Sequence, residues 1–182
     1  MKIPKLIYFL LSFFIFTSCA ESLDFDQLED YLAKPVFTAS LTYFNVQPFQ
    51  FFDENGVQQN SREDITDFIV FENSFFRENV VKIVFNAEFK NEFDRAVRIE
   101  VDFLNENNIA IYSFAPIIVE GGDTIPPPYE EEIIIASSLN VLSATKVRFR
   151  AFLEDTGTQM NPLDTSEFEF RSSVTLFVET DL

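Results

Sequence analysis

Strict alternation is the feature that most constrains this chain. Between residues 81 and 90, Val81, Ile83, Phe85, Ala87 and Phe89 fall on one side, and Lys82, Asn86, Glu88 and Lys90 on the other. A period of two sends neighbouring side chains to opposite faces of a pleated strand, so the stretch is predicted to be a strand with one face in a core. The pattern recurs. Val97, Ile99, Val101 and Phe103 alternate with Arg98, Glu100 and Asp102, and Val147, Phe149, Ala151 and Leu153 alternate with Arg148, Arg150 and Glu154. In 168–178, Phe168, Phe170, Val174, Leu176 and Val178 share a face.

Turn chemistry separates these runs. Val36–Val46, rich in β-branched and aromatic residues, reads as the first strand and is broken by Pro48. Phe49–Phe52 followed by Asp53-Glu54-Asn55-Gly56 predicts a hairpin with a type I′ turn. In 61–78 a helical stripe competes with a short buried strand, since Ser61 and Asp64 resemble a capping box; the reading adopted is a strand at Phe68–Phe71 and a helical turn at Asn73–Arg77. Asn91–Arg95 reads as a polar turn. Asn105–Asn108 is predicted to turn the chain into a returning strand, Ile109–Val119, in which Pro116 demands an edge position or a bulge. Gly121-Gly122-Asp123 turns the chain, Pro126–Pro128 is a stiff spacer, Glu132–Ala136 is a short strand and Ser137–Ser143 a crossover turn. About seven strands without a sustained helix predict an all-β fold, an antiparallel two-sheet β-sandwich, with a barrel as the alternative. The general look resembles immunoglobulin- or fibronectin-III-like domains in architecture only, because no Trp and no cysteine pair is present. A membrane-spanning barrel needs at least eight strands with an apolar outer band, which these segments do not supply.

The N-terminus has a different logic. Lys2 and Lys5 precede the apolar run Leu6–Phe16, and Thr17, Ser18 and Ala20 surround Cys19, the single cysteine of the chain. That run is too short to cross a bilayer as a helix, which takes about 20 residues, and has the length and flanks of a secretory signal. Phe16-Thr17-Ser18-Cys19-Ala20 resembles the lipobox of bacterial lipoproteins, with Phe16 where Leu is commoner. The resemblance implies cleavage before Cys19, lipidation of that residue, and a mature protein anchored to a membrane without spanning it. The following acidic stretch is similar to the surface-export signal of Bacteroidota-type outer-membrane lipoproteins, carried here by Ser22, Asp24, Phe25 and Asp26 and interrupted by Leu23. It implies the extracellular face of the outer membrane over the periplasmic one. The expected organisation is a signal peptide at 1–18, an acidic lipidated tether at 19–35 and one sandwich domain at 36–182.

Charge and composition narrow the function. The chain of 182 residues carries a net charge of −17. The signal holds two lysines and no acid, so the mature chain comes to −19. Such a field repels nucleic acid and anionic headgroups and suits a cationic partner. Phe is abundant at 24 residues while His and Trp are absent. Lack of His removes the usual general base and the commonest metal ligand, and a lipidated Cys19 leaves no thiolate. No cofactor and no metal is expected.

Three constellations remain. In Glu130-Glu131-Glu132 only Glu130 and Glu132 share a strand face, and paired carboxylates do glycosidase chemistry only across a cleft. Glu154, Asp155 and Asp164 offer hard oxygens for calcium around Gly157, without EF-hand spacing. Arg148 and Arg150 share a face that Arg171 joins if 147–153 pairs with 168–178, giving an anion grip or pairs with Glu167 and Glu169. The function expected is a non-enzymatic, lipid-anchored accessory or interaction subunit of a surface complex, with an outer-membrane protein as partner. The alternative is a carbohydrate- or ligand-binding module, against which the absence of Trp counts.

Overall fold

In the computed structural model, residues 32–181 are described. The alternating runs all become strands of eight residues or more, because each must bury one apolar face against another sheet. The described strands are β1 (Leu32–Ala33), β2 (Val36–Val46), β3 (Ser61–Asp67), β4 (Val80–Asn91), β5 (Val97–Leu104), β6 (Ala110–Ser113), β7 (Ile117–Val119), β8 (Tyr129–Ile134), β9 (Lys146–Leu153), β10 (Phe168–Val178) and β11 (Thr180–Asp181). One sheet has the order β2-β10-β4-β8 and the other β3-β9-β5-β6, with β7 also beside β5. Pairing within both is antiparallel. Their inner faces meet through aromatic rings, Phe149 on Phe170 at 5.4 Å and Phe114 on Phe85 at 4.5 Å and on Phe103 at 5.2 Å. The expected two-sheet antiparallel sandwich is present.

Pairing is nested: β2 with β10, β3 with β9, β4 with β8, and β5 with β6. Rolling such a set of nested hairpins into two layers gives a double-sheet jelly roll. Within the sandwich class this differs from the immunoglobulin arrangement, whose sheets are built differently.

Eleven strands stand where about seven were expected, and the excess has local causes. The expected strand Ile109–Val119 is two strands, because Pro116 has no amide hydrogen for the ladder and the chain breaks at Phe114–Pro116; both halves lie along the same edge of β5. Phe68–Phe71 is not a strand. The strand is the polar segment before it, β3, while Phe68 and Phe71 turn into the core and Phe68 stacks on Phe103 at 5.0 Å. In β3 the acids Glu63 and Asp67 stand opposite Arg150 and Lys146 of β9, a cross-strand charge match that hydrophobic periodicity does not register. The expected helical turn is the six-residue helix Ser74–Asn79, whose N-cap Asn73 accepts the amide of Phe75.

Smaller departures follow the same physics. Val81 faces solvent and Val80 takes the inward place, because the β4–β10 register slips between Phe177, opposite Lys82, and Val178, opposite Val80. The turn after Phe52 has positive φ at Gly56 but not at Asn55, so it is not type I′. The Asp53 carboxylate accepts the amides of Asn55 and Val57 at 2.9 Å each and holds the turn with glycine alone in the left-handed region. The short strand at 132–136 is displaced to β8, and Ile135 begins a single turn of 3₁₀ helix. The segment 91–95 turns as expected but is not polar surface, since Asn91, Phe93 and Arg95 are buried.

Candidate functional site

The lipidation residue Cys19 and the export-signal residues Ser22, Asp24, Phe25 and Asp26 lie outside the described residues. Among the described residues, β8 separates its three glutamates as a strand must. Glu132 faces outward and pairs with Lys82 at 2.8 Å. Glu131, the one pointing the other way, is the organised acid: it accepts from the Tyr112 hydroxyl at 2.8 Å, from the Tyr129 hydroxyl and from the Ala115 amide at 3.0 Å. Burial pushes the Tyr112 phenol up to about 12, aided by the hydrogen bond and charge of Glu131, and raises Tyr129 for the same reasons. This group clasps β8 of one sheet to the β6–β7 edge of the other. Its donors and acceptors are spent on one another, which suits holding an edge closed better than moving a proton.

The loop considered for calcium spends its acids internally. Glu154 accepts the Ala96 amide at 3.1 Å, Asp155 accepts the Gly157 amide at 2.9 Å, and Asp164 accepts from Ser166. Among the described residues no three His, Cys, Asp or Glu side chains are grouped to hold a metal ion.

The three arginines do not assemble. β9 pairs with β3 and β5, whereas β10 belongs to the other sheet, so Arg171 is separated from Arg148 and Arg150. Arg171 pairs with Glu169 at 3.2 Å, as one reading expected, and its guanidinium lies over the Tyr43 ring at 5.8 Å. Arg148 and Arg150 instead converge on Asp102, at 2.7 and 3.1 Å, and Arg150 also reaches Glu100 at 2.8 Å. Ser113 donates to the other Asp102 oxygen at 2.5 Å. Burial pushes the Asp102 carboxyl up, but hydrogen bonds from Ser113 and Arg148 and the charges of Arg148 and Arg150 outweigh it and hold the group below its ordinary value. The arginines are therefore committed to acids of their own sheet.

Two surfaces remain with unspent capacity. On the outer face of the four-stranded sheet, Ser40, Ser173, Asn86 and Glu130 stand in register across β2, β10, β4 and β8. They line a depression of about 500 Å³ walled by Glu88, Arg171 and Pro128. The second surface is the side of the sandwich where β2 and β3 are the outermost strands of their sheets. Between them opens a cleft of about 460 Å³, floored by Phe44, Val46, Phe149 and Ala151 and rimmed by Gln50, Arg62, Glu63 and Asp64. Beside it runs β2, eleven residues from Val36 to Val46 with no charged residue and no proline. Sequence reading found the strand but not its position, since edge or centre is decided by partners distant along the chain.

No protein-family model matches this chain. No curated protein matches it either. Solved structures resemble it at low identity. The VP2 subviral particle of infectious bursal disease virus matches 80% of this chain and 33% of its own at 13% identity and a TM-score of 0.41. A protein from Parabacteroides distasonis ATCC 8503, assigned as secreted, matches 64% of this chain and 38% of its own at 16% identity and 0.45. Desmodium yellow mottle tymovirus matches 82% of each chain at 10% identity and 0.37. The chain thus spans about a third of the length of the VP2 structure it matches, and at such scores these likenesses carry no argument about function. Among the described residues no helix is long and apolar enough to cross a membrane.

Proposed function

We propose that this chain is a lipid-anchored surface lipoprotein that acts as a non-enzymatic accessory or interaction subunit of an outer-membrane assembly. The observation that carries the interaction role is β2, a long uncharged strand at the border of its sheet, beside an apolar cleft. Exposed strand edges are templates for pairing with another chain, and proteins ordinarily blunt them. The anchor reading is supported by the charged, apolar and small-residue order of Lys2–Cys19 and by the export-like residues that follow it. Metabolic labelling with a fatty acid tests the anchor: label is expected on the wild-type protein and none on Cys19→Ala, which is expected to leave the membrane fraction. Protease added to intact cells tests the face, with digestion expected at the outer surface. Extraction in mild detergent is expected to bring one stoichiometric membrane protein with it, and a protein recovered alone counts against the subunit role.

A second reading, a saccharide-binding module, is favoured by the in-register row Ser40, Ser173, Asn86 and Glu130 in the outer-face depression. Hydroxyl, amide and carboxylate groups at one level across four strands suit the hydroxyls of a sugar. A glycan array that gives signal with the wild type and none with Asn86→Ala would support it, and a blank array removes it.

A further inference from the structure

The four sheet borders differ in how they are protected, and the difference identifies what β2 is for. The β8 border carries Glu130, Glu131 and Glu132 and follows Pro126–Pro128. The β3 border carries Arg62, Glu63, Asp64 and Asp67. The β6–β7 border is two short pieces broken at Pro116. Charges, proline and shortness are the devices that stop a border from recruiting another strand. Among the described residues β2 has two milder devices: a bulge that leaves Leu41 unopposed between Thr42, opposite Ser172, and Ser40, opposite Ser173, and at its Val36 end the helix Ser74–Asn79, whose Phe75 and Phe76 pack on Phe37 at 6.3 and 5.1 Å. Neither covers the stretch beside the cleft. In a chain of which 24% is charged, eleven residues without a charge at the border are conspicuous. Among the described residues β2 pairs with β10 alone.

We infer that β2 accepts an extended segment of a partner protein as a fifth strand of its sheet, with an apolar side chain of that segment seated in the cleft floored by Phe44 and Phe149. This rests on the interaction-subunit reading and names the partner's chemistry. In strand addition the main chain supplies affinity and pockets for alternate side chains supply specificity. The inward positions Phe44 and Val46, opposite Phe170 and Phe168, place the cleft on the core side of the incoming strand. Charge selects the partner: the rim sets Glu63 and Asp64 against the single cation Arg62, and the chain carries a net charge of −17, so a segment that pairs its apolar inward residues with basic ones is favoured. The same charge opposes a second copy of this chain, whose β3 acids would be brought alongside.

The test uses the full-length protein in mild detergent and a ten-residue peptide alternating lysine and valine. A control peptide has a central valine replaced by proline and the same charge, which preserves electrostatic attraction and removes the strand. The alternating peptide is expected to bind at least tenfold more tightly than the control by fluorescence anisotropy. Ala39→Lys, an inward-pointing lysine at an exposed position opposite Val174, is expected to abolish that difference. Thr38→Lys adds the same charge on the outward face and is expected to keep it. Equal binding of the two peptides overturns the inference. A wild-type dimer that Ala39→Lys dissociates in sedimentation also overturns it, making the occupant a second copy. Slow hydrogen exchange along both sides of β2 in the protein alone overturns it as well, since the border is then already covered. A partner that co-purifies equally with wild type and Ala39→Lys leaves the subunit reading standing and removes the border from it. Peptide binding without any co-purified partner does the reverse.

Discussion

Asp102 stands at a position where alternation expects a solvated acid, yet it is only 3% exposed. Ser113 and the two arginines cover it, so its charge is matched from three directions. Replacing it by alanine leaves Arg148 and Arg150 without their shared acceptor and is expected to cost about 2–3 kcal/mol in urea unfolding, the scale of hydrogen bonds to charged groups. The arginines are partly exposed, which keeps the loss below that of a fully buried pair. A carboxyl held low in the folded state binds protons more readily when unfolded. The Asp102 contribution is therefore present above about pH 4 and is lost as pH falls through the folded-state value. The gap between wild type and Asp102→Asn should close as acid is added. The Glu131 clasp has the opposite sign. Its tyrosines are held high, so their contribution is complete below about pH 10 and is lost as pH rises through the folded-state value, about 12 for Tyr112. Alkaline absorbance titration should find Tyr112 ionising nearer its ordinary value in Glu131→Gln.

At the scale of elements, what was legible is what is local. β2 and β10 have the predicted bounds because each is a continuous β-branched and aromatic run, with Pro35 and Pro48 at the ends of β2. β3 was not legible, because its partner charges lie on β9, far along the chain. The same holds for the candidate site: the residues of β2 were visible, but the cleft needs Phe44 and Phe149 from different sheets. The corner between β4 and β5 shows another non-local cause. The Asn91 side chain is fully buried and donates to the carbonyls of Arg95, Val119 and Glu120 at 3.0 Å each, while accepting the Phe93 amide. Asn91→Ala orphans those groups and is expected to cost at least about 2 kcal/mol in denaturant unfolding. Gly121 passes so close that an added Cβ would lie 2.8 Å from the Arg95 nitrogen. Gly121→Ala must move backbone and is expected to lower stability by about 1–3 kcal/mol; a melting temperature equal to the wild type would contradict that placement.

At the scale of the molecule, nesting joins the earliest long strand to the latest one, as Val36 opposite Phe177 illustrates. Non-local pairing closes large loops before any contact rewards them, so refolding in the millisecond-to-second range or slower is expected, read by far-UV circular dichroism. Nesting also has a consequence for biogenesis. Of the long strands a ribosome releases β2 first and β10 last, and at about 5–20 residues per second the interval is roughly ten seconds. Throughout it β2 has no β10 to lie against, and β4 also lacks one of its neighbours. An unfinished chain thus cannot close its sandwich early. Under the export proposed above, the chain that reaches a translocation channel is therefore still open enough to thread, and β2 is the segment a holdase would have to shield.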